Sequence, residues 1–209
     1  MKIPRLLAIS SPAATPGPQW RRWCSELGAA GVDGLQVRRK GLADRELLEL
    51  ACEARAAAGG PRVLLVNARL DIALAAGADG VHLPASGLPL ARLREAVGAP
   101  ARATFLLGRS THTPDEIRLA RDQGADFALF GPVFETPSKA GLIPPRGLDG
   151  LAQAVASGLP VLALGGIDAG NARQVADSGA WGIAAIRWFG NPAAERLHFA
   201  SLLQSWEGS

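Results

Sequence analysis

VLLVNARLDIALAAGADGVHL, residues 63–83, is the stretch that decides the fold. It contains two short runs, VLLVN and GVHL, that are almost entirely apolar, which is typical of parallel strands buried on both faces. Between them, RLDIALAAGA has apolar residues at helical spacing and contains Gly77, a residue type that ends helices. The stretch therefore predicts a strand, a helix and a second parallel strand.

The same unit recurs along the whole chain. Gly-Ala-Asp or Gly-Ala-Trp precedes three of the apolar runs, and each of these glycines is interpreted as a helix C-cap. The eight runs are LLAIS (6–10), GLQVR (34–38), VLLVN (63–67), GVHL (80–83), TFLLG (104–108), FALFG (127–131), VLALG (161–165) and GIAAI (182–186). Eight strand and helix units without a linker predict a single α/β domain over residues 1–209, a closed (β/α)8 TIM barrel.

Length and composition narrow the classes of function. The chain has 209 residues, 48% of them hydrophobic, and a formal net charge of +3 without a dense basic block. Nucleic acid is therefore not expected as a partner. No apolar run approaches the roughly 18 residues of a membrane span, and the first run is too short for a secretory signal. We predict a cytoplasmic protein that binds no membrane.

Cysteine and tryptophan positions give two further predictions. Cys24 and Cys52 lie in predicted helices without metal-ligand spacing, which favours buried free thiols. The tryptophans near the terminal helices allow two interpretations, an exposed face for a homo-oligomer or a cover for the outside of the barrel. These residues are Trp20, Trp23, Trp188 and Trp206.

Binding and catalytic groups of parallel barrels gather just after the strands, so residues at those points are candidates for a site. Gln36 and Arg38 alternate with Val37 and precede Lys40. An amide and two cations could therefore converge on a phosphate or diphosphate. A solvated run of charge is the alternative interpretation.

The next strands contribute an amide and two histidines. Asn67 ends the third strand and either caps the next helix or faces a ligand. His82, inside an apolar strand, is typical of a core histidine with satisfied hydrogen bonds. Thr113 and Glu116 predict a helix start, which leaves His112 just outside a helix N-terminus. The helix dipole there favours a neutral imidazole, the form that a proton shuttle needs.

The longest non-periodic segment, residues 131–148, has the composition of an active-site loop. Within it, Glu135 is a candidate general base and Lys139 a candidate anion-binding cation, and both would also suit a solvated surface. Gly165 and Gly166 bring bare backbone to the end of the seventh strand, where barrels often bind phosphate. Further polar candidates at strand ends are Ser110 and Arg187.

Together, several segments resemble the thiamine phosphate synthase and TenI superfamily over nearly the whole chain. They follow the family's order at barrel spacing, and they are QVRRK, VNARLDIALAAGADGVHLP, GRSTHTPDEI, GPVFETPSKAG followed by PPRGL, PVLALGGI and GAWGIAAI. The resemblance implies a TIM barrel enzyme of thiamin biosynthesis that binds a small phosphorylated thiazole.

In the synthase branch, the resemblance implies that the diphosphate of an aminopyrimidine substrate is held by Gln36, Arg38, Lys40 and Lys139. It also implies that the thiazole phosphate is held by Thr136, Ser138 and the Gly165–Gly166 loop. That branch uses magnesium, bound by an Asp directly after the third-strand Asn and an acid after the fourth-strand His-Leu-Gly-Gln. This chain has Ala68 and Pro84-Ala85-Ser86-Gly87 there, so no protein magnesium site is expected.

The TenI branch consists of thiazole tautomerases, which move a proton on thiazole phosphate carboxylate without a metal. Its members have Asn-Gly-Arg and Leu-Pro-Ser-Gly near the present residues 67–69 and 83–87. His112 matches one histidine of that branch, whereas Pro132 replaces its active-site histidine. We therefore predict a cofactor-free tautomerase with His112 as proton shuttle and Glu135 as a second catalytic candidate.

Two alternatives stay open. One is a thiamine-phosphate synthase that recruits Mg²⁺ mainly through its substrate diphosphate and water. The other is a non-catalytic barrel that binds a thiamin intermediate as a sensor or carrier, since both magnesium acids and the tautomerase histidine are missing.

Overall fold

Strands and helices alternate along the chain and build a closed barrel, which confirms the predicted fold class. The computed structural model describes residues 3–98, 104–136 and 143–207. Every strand pairs in parallel with the next one, and the last pairs with the first. The strands are β1 (Leu6–Ile9), β2 (Gly34–Val37), β3 (Val63–Asn67), β4 (Gly80–Leu83), β5 (Leu106–Thr111), β6 (Phe127–Phe130), β7 (Val161–Leu164) and β8 (Gly182–Ala185).

The helices surround the sheet. They are α1 (Pro18–Ala29), α2 (Asp44–Ala56), α3 (Leu70–Ala75), α4 (Leu90–Ala96), α5 (Pro114–Asp122), α6 (Gly147–Val155), α7 (Ala172–Asp177) and α8 (Pro192–Glu207), with a short 3-10 helix at Trp188–Gly190. Within the three described ranges, no helix is long and apolar enough to cross a membrane.

The Gly-Ala-Asp segments join helices to strands as predicted. Gly77 and Gly124 have φ values of 62° and 88°, the left-handed conformation of a C-cap glycine. The aspartates that follow accept hydrogen bonds from strand backbones. Asp79 accepts from the Leu64 N–H at 2.7 Å, and Asp126 accepts from the N–H of Leu107, also at 2.7 Å. Each segment therefore ends a helix and fixes the start of a neighbouring strand.

The fifth strand begins and ends later than predicted. The sequence places it at 104–108, whereas β5 runs from Leu106 to Thr111. Gly108 is therefore a residue inside the strand, where a Cβ would lie 2.3 Å from the ring of Phe127. Phe127, the first residue of β6, is fully buried and belongs to the apolar cluster of the barrel interior. The other members of this interior apolar cluster are Leu7, Ile9, Val63, Leu65, Leu106, Leu129, Leu162 and Ala184.

One prediction about exposure is corrected, and one of two open interpretations is confirmed. Cys24 is buried as predicted, but Cys52 is exposed on α2. The tryptophans cover the outside of the barrel and do not form an exposed face. Trp20, Trp188 and Trp206 are 5–8% exposed, and their indole N–H groups donate to Leu50, Glu195 and Ala180. Trp23 is partly buried and donates to the carbonyl of Phe189 at 2.9 Å.

Candidate active site

The mouth of the barrel, formed by the C-terminal ends of the strands and the loops that follow them, leads into an interior with two unusual polar side chains. Gln36 pairs in register with Ile9 and Leu65, both of the interior apolar cluster, so its side chain points inward. One level of a tilted eight-strand barrel advances by about one residue per strand. Gln36 pairs with Leu65, and Leu65 pairs with Gly80. Because β4 is two strands from β2, the residue of β4 at the level of Gln36 lies two positions after Gly80. That residue is His82, and it lies on the same inward face.

Both side chains are buried without full hydrogen bonding. Gln36 is 0% exposed, and neither its amide nitrogen nor its amide oxygen has a partner. His82 is 3% exposed, with Nε2 at 3.3 Å from the Ser110 hydroxyl and Nδ1 unpartnered. The prediction of a satisfied core histidine is therefore wrong at Nδ1. Unmet polar atoms in a buried site require an explanation, and a ligand that enters from the mouth provides one.

The residues after β2 are distributed from the interior to the surface. Gln36 is inside, Arg38 is partly buried and Lys40 is exposed. The Ser10 hydroxyl accepts from the Arg38 N–H at 2.8 Å and donates to the Arg38 carbonyl at 3.0 Å, which fixes the strand end. Arg39 is turned aside to the carbonyl of Ala14. Arg38 and Lys40 are thus the two cations of this segment that stay available to an anion at the mouth.

The electrostatic surroundings of His82 keep it neutral. Burial lowers the pKa of His82 from its ordinary 6.5 to about 3, and the positive charges of Arg38 and Arg109 lower the pKa further in the same direction. The imidazole is therefore an uncharged hydrogen-bonding group at any physiological pH.

This lowered pKa predicts a loss of stability in acid. Above pH 6.5 His82 is neutral in both the folded and the unfolded chain. Below pH 6.5 only the unfolded chain takes up the proton, so the free energy of unfolding should fall by about 1.4 kcal/mol per pH unit until the folded pKa is reached. Urea unfolding at pH 7.5 and pH 5 should show a shallower pH dependence in His82→Leu. The exposed His198, replaced by Gln, is the control and should keep the original dependence.

The end of β3 carries an unusual backbone conformation. Asn67 does not cap α3, because the N-cap is Arg69 and no side chain caps that helix. Ala68 has φ of 63°, a left-handed conformation that is uncommon for alanine. Its N–H donates to the His82 carbonyl at 2.8 Å. Arg69 forms ion pairs with Asp44 and Asp71 and is therefore not free for a ligand.

The residues present do not fit a magnesium ion. The two places that the resemblance assigns to metal-binding acids are Ala68 and the segment 84–87, which contains no carboxylate. No group of three or more His, Cys, Asp or Glu side chains that could hold a metal occurs within residues 3–98, 104–136 and 143–207. Hard divalent cations in proteins are held mainly by carboxylate oxygens, and position 68 and the segment 84–87 provide no carboxylate.

His112 is held at the rim between β5 and β6. The predicted helix start is confirmed, with Thr113 as N-cap accepting from the Glu116 N–H at 3.2 Å. Glu116 also accepts from the His112 N–H at 2.5 Å. The His112 Nδ1 lies 2.5 Å from the Gly131 carbonyl, which can only accept, so Nδ1 carries the proton in the neutral ring. Nε2 is thereby left with a lone pair, as a general base requires.

The loop after β6 packs against the two glycines after β7. A Cβ on Gly165 would lie 2.7 Å from Pro132, and one on Gly166 would lie 2.4 Å from the Glu135 carbonyl. With φ values of 102° and 67°, both positions need glycine for packing alone, and their role in phosphate binding stays a prediction. Glu135 itself is exposed.

A contact between Arg187 and Thr136 joins the end of β8 to the loop after β6. Arg187 is exposed and donates from Nη2 to the Thr136 hydroxyl at 3.4 Å. The strand order places the described site residues around one rim, with Gln36 deeper in the interior. Those at or after the ends of β2, β3 and β5 are Arg38, Lys40, Asn67, Ser110 and His112, and those after β6, β7 and β8 are Thr136, Glu135, Gly165, Gly166 and Arg187. Of the predicted site residues, Ser138 and Lys139 lie outside the described residues.

Sequence reasoning missed residues that position these groups. Ser10 fixes Arg38, and Asn171 donates to the Gly166 carbonyl at 2.9 Å. Arg109 bonds the backbone of the loop after β4. The partners of Ser10 and Arg109 are backbone atoms of segments remote in sequence, and the partner of Asn171 is a backbone atom five residues before it. Backbone atoms carry no side-chain motif, so no motif identifies these contacts.

Comparisons with known proteins identify the family of the chain and agree with its fold. Residues 6–189 match the model of the thiamine monophosphate synthase family. A thiamine-phosphate synthase of Anaeromyxobacter dehalogenans is 43% identical over 151 residues, 72% of this chain and 66% of that protein. One of Koribacter versatilis is 38% identical over 192 residues, 89% of each chain. The solved thiamine phosphate pyrophosphorylase of Pyrococcus furiosus is 29% identical with a TM-score of 0.78, covering 98% of this chain and 96% of that one.

Proposed function

Because the chain belongs to the thiamine monophosphate synthase family, we propose that it is a thiamin biosynthesis enzyme that joins an aminopyrimidine diphosphate to a thiazole phosphate. The observation that carries the proposal is the match to a thiamine-phosphate synthase at 38% identity over 89% of both chains. The match confirms the superfamily predicted from the sequence. The synthase, given there as an alternative to the tautomerase, has the better support from the relatives.

The polar interior suits the binding of one substrate ring. A heterocycle that passes the mouth would meet the unpartnered amide of Gln36 and Nδ1 of neutral His82. Both groups would then recover the hydrogen bonds that burial denies them, and the ring would be oriented by groups that carry no net charge. These contacts would explain why the free barrel tolerates two unsatisfied side chains at one level.

The cations at the mouth suit the departure of the diphosphate. In the coupling step the thiazole nitrogen forms a bond to the pyrimidine methylene carbon, and the bond from that carbon to the diphosphate oxygen breaks. The diphosphate leaves with the electron pair, so the site has to stabilise growing negative charge. Arg38 and Lys40 after β2 and Arg187 after β8 are the groups we assign to this task, together with Lys139 from the sequence.

A thiazole tautomerase is the second candidate, and His112 favours it. Its Nδ1–H is bound by the Gly131 carbonyl and Nε2 is left as a base, which is the arrangement of a proton shuttle. The missing metal acids do not impair a proton transfer. Pro132 in place of the family's active-site histidine removes one proton-transfer group from this alternative.

Restoring the two acids tests the synthase proposal. We expect the unaltered protein to couple the two substrates slowly, and Ala68→Asp with Ser86→Asp to couple them at least tenfold faster in millimolar magnesium. Aspartate is compatible with the backbone at position 68, since its φ of 63° is adopted more readily by Asp than by Ala. Chromatographic detection of thiamine phosphate, with and without a chelator, measures both rates.

The matched control is Ala68→Asn with Ser86→Asn, which keeps side-chain size and the tolerated backbone conformation but adds no charge. It should couple no faster than the unaltered protein. Isomerisation of thiazole phosphate carboxylate by the unaltered protein, together with no coupling by it or by the aspartate variant, would replace the synthase proposal by the tautomerase.

A further inference from the structure

Arg109 is a buried cation on the outer face of β5. It is 5% exposed, and none of the ion pairs within the described ranges includes it. Burial lowers the pKa of its guanidinium, although arginine keeps its proton under all ordinary conditions. A buried charge without a counter-charge is costly, so its presence needs a compensating role.

The guanidinium is bound instead by the backbone of the loop after β4. Nη1 donates to the Pro84 carbonyl at 2.9 Å, and Nη2 donates to the Leu88 carbonyl at 2.6 Å. A further contact to the Ala85 carbonyl is 3.5 Å long. A Cβ on Gly87 would lie only 3.0 Å from Nη1, so the loop packs directly on the charged group.

The synthase branch has a metal-binding acid in the loop that corresponds to this one, and residues 84–87 of this chain contain no carboxylate. Residues 84–86 are exposed to solvent at the mouth, while the side chain that holds them is buried beneath. The charge of Arg109 also reaches the interior, because it lowers the pKa of His82 together with Arg38. A permanent positive charge therefore lies under the rim where the family places an acid and its metal ion.

We propose that Arg109 is a positioning residue of the active site, which fixes the loop of residues 84–88 at the mouth and supplies there a fixed positive charge in place of a metal ion. The inference rests on the proposed function, because it assumes an anionic substrate at this rim. A fixed charge that needs no reorganisation stabilises an anion more effectively than a mobile one.

Three substitutions separate the two roles. Arg109→Lys keeps the charge with fewer hydrogen bonds, Arg109→Gln keeps neutral donors without the charge, and Arg109→Met removes both. The control is Arg94→Met, since Arg94 also donates to backbone carbonyls, those of Phe105 and Gly124, at the opposite end of the barrel. Arg94 differs from Arg109 in that it is also paired with Asp126. Binding of inorganic pyrophosphate by calorimetry and hydrogen exchange of the amides of residues 85–88 are measured for each protein.

We expect Arg109→Met to exchange the amides of residues 85–88 at least tenfold faster and to bind pyrophosphate at least tenfold more weakly. Arg109→Gln should bind pyrophosphate as weakly as Arg109→Met does. The amides of residues 85–88 should exchange more slowly in Arg109→Gln than in Arg109→Met. Arg109→Lys should bind pyrophosphate within threefold of the unaltered protein. Arg94→Met should change neither quantity.

Unchanged loop exchange in Arg109→Met would overturn the positioning role. Equal pyrophosphate affinity in Arg109→Lys and Arg109→Gln, or no binding by the unaltered protein, would overturn the electrostatic role. If the Met variant does not fold, the Lys and Gln pair decides both. Absence of coupling and isomerisation activity in the unaltered protein would overturn the proposed function, while these two measurements would still decide the role of Arg109.

Discussion

Replacing Gln36 by leucine is expected to stabilise the free protein and to weaken its binding of substrate. The amide is fully buried, and both of its polar atoms lack partners. Leaving such a group unsatisfied costs about 1–3 kcal/mol, whereas leucine is of similar size and would face apolar neighbours. The register partners of Gln36, Ile9 and Leu65, provide that surface. We therefore expect the free energy of unfolding of Gln36→Leu to rise by about that amount.

The same change should lower the affinity for whichever substrate ring enters the barrel by at least tenfold. Urea unfolding gives the first quantity, and calorimetric titration with each of the two substrates gives the second. Thr111→Val is a matched control, since Thr111 is 1% exposed and, unlike Gln36, its hydroxyl has a partner, donating to the Leu129 carbonyl at 3.3 Å. It should destabilise the protein by about 1 kcal/mol. A destabilised Gln36→Leu with unchanged substrate affinity would show that the amide has no ligand.

Replacing His112 by asparagine should separate the two candidate reactions. The asparagine amide can still donate to the Gly131 carbonyl, as Nδ1–H does now, but it has no basic nitrogen. Isomerisation of the thiazole phosphate carboxylate depends on a base, so its turnover number should fall by about 10²–10⁴-fold. Coupling should fall by less than tenfold, because the attacking nitrogen loses no proton.

Both turnover numbers are measured in the purified variant beside His198→Asn, which alters an exposed histidine on α8. The His198 variant should leave both rates unchanged. Isomerisation that survives His112→Asn within threefold would assign the base to another residue, and Glu135→Gln would then be the next variant to measure.

The barrel could be predicted because its signals are local. Apolar runs and amphipathic segments recur along the chain, several of them joined by C-cap glycines, and the structure follows them within a few residues. The fifth strand is the exception. Gly108 looks like the end of a strand in the sequence, but the ring of Phe127 requires a glycine inside it. That contact joins two strands, so neither segment reveals it by itself.

The sequence predicts which residues lie near the mouth, but it does not predict how deeply each of them is buried. Alternation along β2 predicts Gln36 and Arg38 on one face, but it does not tell that Gln36 is fully buried, Arg38 partly buried and Lys40 exposed. Depth in a barrel depends on the tilt and stagger of all eight strands. Arg109 was missed for a related reason, because its partners are carbonyls, which carry no sequence signal.

The interior apolar cluster that includes Phe127 packs the core of the barrel, so Gln36 and His82 are reached from the mouth. Molecules that reach Gln36 and His82 have to enter and leave through the same rim. If one reactant is a heterocycle that binds deep in the barrel at Gln36, it has to arrive first. After coupling, the product that contains this heterocycle has to depart last, after the diphosphate. Steady-state kinetics should then show a compulsory order of addition, with the outer reactant unable to bind productively before the inner one.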